Sequence, residues 1–123
     1  MTADGAVNPD TVVLTASNEL AHAPSIFLQG STGNANGIVF GDGVRCASGT
    51  LLRLYTKSAV DGSVVAPAAG DPSIRARSAA LGDTIANGQS RTYQVYYRDP
   101  LFAFCPAPGG DAWNITNAVR VAW

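Results

Sequence analysis

Lysine is almost missing from this chain. Lys57 is the only one in 123 residues, and charged residues make up 14% of the total against about 25% in ordinary domains. Ser, Thr, Asn, Gln and Gly must therefore supply most of the polar surface. The seven arginines (45, 53, 75, 77, 91, 98 and 120) are spread along the sequence and the formal net charge is −1. A nucleic-acid binder concentrates its cations on one face, so this pattern argues against that class. His22 is the only histidine, which excludes a His-based metal cluster within one chain. A Ser-His-Asp triad would have to run through His22, in a Leu-Ala-His-Ala-Pro segment, and no G-x-S-x-G nucleophile motif accompanies it. We read it as a solvated loop histidine. Glu19 is the only glutamate, and nearly all eight aspartates neighbour Gly or Pro or open a turn. There Asp caps backbone N–H groups instead of forming the carboxylate pairs of glycoside hydrolysis. No run approaches the roughly 20 apolar residues of a membrane-spanning helix. The Thr-Ala-Asp-Gly that follows Met1 has no export-signal character.

What is present is a β sequence with two cysteines. Hydrophobic residues reach 46%, enough for a packed core, and the length is that of a single domain, 1–123. Cys46 and Cys105 lack the C-x-x-C spacing of a redox or zinc site. We expect them to form one disulfide closing a loop of about 60 residues, worth about 4 kcal/mol in chain-entropy models; two free buried thiols are the competing reading. The cysteines and the lysine-poor surface suit an exported protein, so the chain is expected to be a module of a longer secreted or cell-surface precursor; the alternative is a cytosolic protein.

Strand signals follow one another at short intervals. Val12–Ala16 and Ile26–Gln29 are apolar β runs, and Gly37–Phe40 lies between the glycine-rich turns 33–37 and 41–43. Leu51–Thr56 should place Leu52 and Leu54 on one face, with Arg53 and Tyr55 on the other. Asp61-Gly62 signals a tight turn into Ser63–Ala66. Ser73–Ser78 alternates, predicting a strand with Arg75 and Arg77 toward solvent. Asn87-Gly88 opens Arg91–Arg98, with Tyr93, Val95 and Tyr97 on one face and Thr92, Gln94, Tyr96 and Arg98 on the other. Ala118–Trp123 closes the chain, with Val119, Val121 and Trp123 inward. Ser78–Leu81, stopped by Gly82, is the best helix candidate. The Pro- and Gly-rich stretch 99–114 reads as one long connection that Cys105 tethers near the 41–46 turn. The fold class predicted is all-β: an antiparallel β-sandwich, Ig-like or jelly-roll-like, of about eight strands.

Several of these segments together have a family likeness: Leu28-Gln29-Gly30, Phe40 through Cys46, Tyr93 through Asp99, Phe104-Cys105, Asn114 through Asn117, and Val119 through Trp123. From about Thr11 to Trp123 the chain resembles a domain common at the C-terminal ends of large exported proteins of Planctomycetes and related environmental bacteria. The resemblance implies an exported, disulfide-bearing β module and no particular biochemical activity. Members of that group continue upstream, often through cysteine-rich sequence; without that part a sheet edge is left open.

Two kinds of site are suggested by residue type. Tyr55 and Tyr96 are expected on outward strand faces, and Trp113 beside Asp111 and Asn114. Flat rings stack on the C–H faces of sugars while amides and carboxylates take hydroxyls, so these five residues form a candidate glycan site; the competing reading has the rings lidding the core. Asn34, Asn36 and Asp42, in adjacent glycine-rich turns, are candidate oxygen ligands for calcium. Against that, Asx-rich turns are usually metal-free, and Asp42 could instead pair with Arg45 or Arg98. Asn114-Ile115-Thr116 matches an N-glycosylation acceptor, read here as a chance match. The function expected is a non-catalytic accessory module attaching its parent protein to a surface, a glycan or a protein partner. Its runner-up is a structural unit that self-assembles through an exposed strand edge.

Overall fold

The β-branched and aromatic runs do form strands, and glycines decide where those strands bend. A computed structural model describes residues 1–100 and 110–123. Its elements are β1 (Thr2–Asp4), β2 (Val13–Ser17), β3 (Pro24–Phe40), β4 (Gly43–Ser58), β5 (Ser63–Ala66), α1 (Ile74–Ala80), β6 (Ser90–Arg98), β7 (Trp113–Ile115) and β8 (Val119–Ala122). Every strand pairing is antiparallel. A small sheet has the order β1-β2-β5, and a larger one runs β4-β3-β6-β7 with β8 also on β6. One core joins them: Val12, Leu14, Ala16, Val64 and Ala66 from the small-sheet side, Phe27, Leu54, Tyr55, Tyr93 and Val95 from the large sheet. Ile74 of α1, Ile85 and Trp123 are buried in the same core. The Trp123 indole donates to the Tyr93 hydroxyl at 3.1 Å, which gives both amphipathic rings a partner inside the core.

Four expectations about elements need correction. Ser73–Ser78 is not a strand: Ile74–Ala80 is helical, with Ser73 as the N-cap accepting from the Ala76 N–H. Ile74 and Ser78, four apart, turn one helix face inward. Gly82 follows the helix at φ +93°, and the Gly82 and Asp83 amides return to the carbonyls of Ala79 and Ser78, a Schellman closure. Arg75 and Arg77 therefore do not share a strand's solvent face. Arg75 bonds Ile85 O and Asn87 Oδ1, and Arg77 bonds Leu54 O.

Secondly, the glycine-rich stretch 33–37 does not end a strand. It lies within β3, as an irregularity between the Gly33↔Ala47 and Ile38↔Arg45 pairs. Thirdly, Tyr55 points inward. Phe27 pairs with Tyr55 but Leu28 pairs with Arg53, so Leu54 is an extra residue. Such a bulge resets the alternation, and Leu54 and Tyr55 are both buried while Arg53 stays out. Trp113, placed in a long connection by the sequence, belongs to β7. The expected disulfide is not found among the described residues: Cys46 is a free, half-buried thiol, and Cys105 lies outside the described residues, as does Phe104.

The feature that positions the site is the fate of the β3–β4 hairpin. Over Ser25–Gly30, β3 is bonded to both β4 and β6; beyond Gly30 it leaves β6. A Cβ on Gly30 would sit 2.5 Å from Ser48 N, closer than any side chain allows, so only glycine lets the backbones approach at this bend. The distal half of the hairpin then crosses the outer face of β6 and reaches β7. Gln94, fully buried on that face, holds it there. Its Oε1 accepts the Cys46 and Ala47 amides at 2.7 and 2.8 Å, and its Nε2 donates to Val44 O and Thr116 O at 3.1 and 2.8 Å. All four valences of the amide are met. At the tip, Gly41 (φ +62°) and Asp42 form a two-residue loop whose first residue has the conformation a II′ turn requires. The Asp42 N–H bonds Trp113 O at 3.1 Å, so the tip is pinned to β7.

Candidate functional site

Folding the hairpin back leaves a groove on the outer face of the large sheet. Its floor comes from strand register: Ile26 pairs with Thr56 on one side and Tyr96 on the other, and Arg98 pairs with Trp113. Phe40, carried in by the hairpin, completes it. The Phe40 ring stands edge-to-face with Trp113 at 4.2 Å and with Tyr96 at 5.7 Å between centroids. A space of about 420 Å³ is lined by Pro24, Ile26, Phe40, Arg53, Thr56, Tyr96, Arg98 and Trp113. A second of about 270 Å³ adjoins it, sharing Phe40, Arg53 and Tyr96 and adding Arg45. Arg45 holds its guanidinium 5.3 Å from the Phe40 centroid, a cation–π contact.

The predicted glycan-site residues are only partly brought together. Tyr96 and Trp113 meet through Phe40. Tyr55 is on the opposite side of the sheet, its hydroxyl bonded to Pro72 O at 2.8 Å and its pKa pushed up by burial and then by Asp71. Asp111 and Asn114 do not line the groove. The Asp111 N–H donates to Asp42 Oδ1 at 2.7 Å, and Asn114 Oδ1 accepts the Ile115 N–H at 2.7 Å. Both serve the hairpin tip and its support.

The candidate calcium ligands serve backbone turns as well. Asn34 Oδ1 accepts the Asn36 N–H at 3.0 Å, an Asx turn inside the irregular part of β3. Asp42 takes the Asp111 amide and not an arginine. Among the described residues no three of His, Cys, Asp and Glu gather in a metal-binding group. His22 is exposed in the β2–β3 connection.

Phe40, Arg45, Arg53 and Arg98 are the site residues the sequence reading missed. Period-two alternation already puts Arg53 and Arg98 on the non-core faces of their strands, and Arg98 beside Tyr96. Phe40 could not be placed, because its position depends on the bend at Gly30.

Elsewhere, buried charge is used to hold the fold. Arg91 grips Asp83 with two bonds of 2.7 and 2.6 Å, and Gln29 Nε2 joins Asp83 at 2.9 Å and Ser78 at 2.8 Å. The Arg91 guanidinium holds the Asp83 carboxyl below its usual range. Glu19 is buried near the start of β3, bonded by the Ser25 hydroxyl, while its other oxygen has no partner. Burial pushes its pKa up.

Compared with known proteins, the chain matches no family model, no curated protein and no solved structure.

Proposed function

We propose that this chain is a non-catalytic attachment module that holds a polysaccharide against the outer face of its larger sheet. The observation that carries the reading is the Phe40–Tyr96–Trp113 cluster in an open groove beside the exposed Arg53 and Arg98. Rings supply flat apolar surface for sugar C–H faces at little entropic cost, and guanidinium groups supply hydrogen bonds in a fixed fork. The groove lies on the sheet's outer face and is only partly enclosed, which suits a segment of polymer better than a small molecule that must be enclosed.

Export, a cell-surface role and a β-sandwich-type architecture belong to the same reading. What supports these is the resemblance to the C-terminal domains of exported planctomycete proteins, together with the lysine-poor surface. The test is retention on immobilised polysaccharides. Native protein should be retarded on at least one, and Tyr96→Ala or Trp113→Ala should abolish the retardation with the far-UV circular dichroism unchanged. Retardation that survives both substitutions would sink the proposal.

Strand-edge assembly stays as a second reading because of one observation. β4 is an edge strand, and the hairpin tip beside it exposes Val39 (83%) and Val44 (51%). Light scattering separates the two: assembly gives a mass that grows with concentration and falls back when Val39 becomes lysine.

A further inference from the structure

We infer that the polymer taken by this groove is an acidic polysaccharide, whose ring carboxylates or sulfates pair with Arg53 and Arg98; the inference rests on the glycan reading above. The seven arginines are put to different uses. Arg75, Arg77 and Arg91 are tied by side-chain hydrogen bonds to Ile85 O, Leu54 O and Asp83. Arg120 is exposed on β8. The remaining three, Arg45, Arg53 and Arg98, converge on one groove, although the chain as a whole carries a net charge of −1. Arg53 and Arg98 have no hydrogen-bond or ion-pair partner among the described residues. Arg45 Nε is buried without one. No Asp or Glu lines either part of the groove.

Guanidinium groups without a partner among the described residues, beside an apolar, aromatic floor, form a site of positive potential. A neutral glycan gains ring stacking there but leaves those forks unused. A carboxylate or sulfate fills them with charge-assisted bonds.

Register adds that more than one charge is involved. Arg53 lies in the row of Leu28, and Arg98 lies two residues beyond Tyr96, which stands in the row of Ile26. The two residues thus flank the Ile26–Tyr96 row from opposite ends, their backbone positions about 13 Å apart along the strands. A polymer with repeated acidic units can engage both ends of that row at once.

The test uses the full chain and three soluble polymers: neutral dextran, polygalacturonate as the carboxylate arm, and dextran sulfate as the sulfate arm. Binding is read by affinity electrophoresis at low and physiological salt. The expected result is retardation by one or both acidic polymers and not by dextran, weakening with salt. Arg53→Gln with Arg98→Gln should lower that affinity about tenfold or more. Arg120→Gln, outside the groove, should leave it unchanged. Both groove arginines are exposed, so the double variant should keep the native circular dichroism spectrum and melting temperature. Dextran retarded as strongly as the acidic polymers, with the double variant unaffected, overturns the acidic inference while leaving the glycan reading intact. Equal losses in the double variant and in Arg120→Gln overturn the assignment to this groove. No retardation by any polymer overturns both.

Discussion

Single residues in this chain divide into those that close hydrogen-bond accounts and those that leave them open. Gln94 is of the first kind. A buried primary amide is costly unless every valence is met, and here two N–H groups and two carbonyls of the hairpin and the β7–β8 connection meet them. Glu19 is of the second kind. Its Oε1 is buried and unpaired, and burial raises its pKa above the ordinary value of 4.5. The sign follows from linkage: a carboxyl whose folded pKa is raised favours folding while protonated, so its contribution is whole below about pH 4.5 and is lost as pH rises through the folded value. Glu19→Gln should therefore raise the unfolding free energy at pH 7, with the gain fading near pH 4. Denaturant melts at the two pH values check this, and a variant less stable than native at both would contradict it.

At the scale of elements, the β3–β4 hairpin carries most of the argument. It is one long ribbon whose first half builds the sheet and whose second half covers it, and Gly30 is where the two meet. Gly30→Ala forces a Cβ against the Ser48 backbone, which cannot swing aside as a side-chain end can. We expect a loss of about 2 kcal/mol or more in chemical denaturation. A change within about 0.5 kcal/mol of native would mean that the hairpin does not bend tightly there. Strand positions were largely legible because alternation is a local signal: β2, β6 and β8 lie where their apolar runs predicted. The helix was misread for an equally local reason. In Ser73–Ser78, Ile74 and Ser78 fit a helix face at i, i+4 as well as a strand face, and the Pro72-Ser73 start with three following alanines carried the deciding signal. Tyr55 was misplaced because the extra residue at Leu54 leaves no mark in the apolar pattern.

For the whole molecule, two antiparallel sheets share one core, and the outer face of the larger sheet is roofed in part by its own hairpin. Half of the candidate site was visible in the sequence, since Tyr96 and Trp113 were singled out by type and expected orientation. The other half was not. Phe40 and Arg45 reach the groove only through a long-range fold-back, and Asp111 and Asn114 spend their polar groups on the hairpin tip. The functional account stands or falls on whether a ligand settles in this groove. The most direct measurement is a titration of isotopically labelled protein with an acidic oligosaccharide, followed by chemical-shift changes at each amide and at the two indole N–H groups. Shifts should concentrate on Phe40, Arg45, Arg53, Tyr96, Arg98 and the Trp113 indole, while the buried Trp123 indole stays still. Shifts gathered instead around Arg120 on β8, or nowhere, would contradict the account.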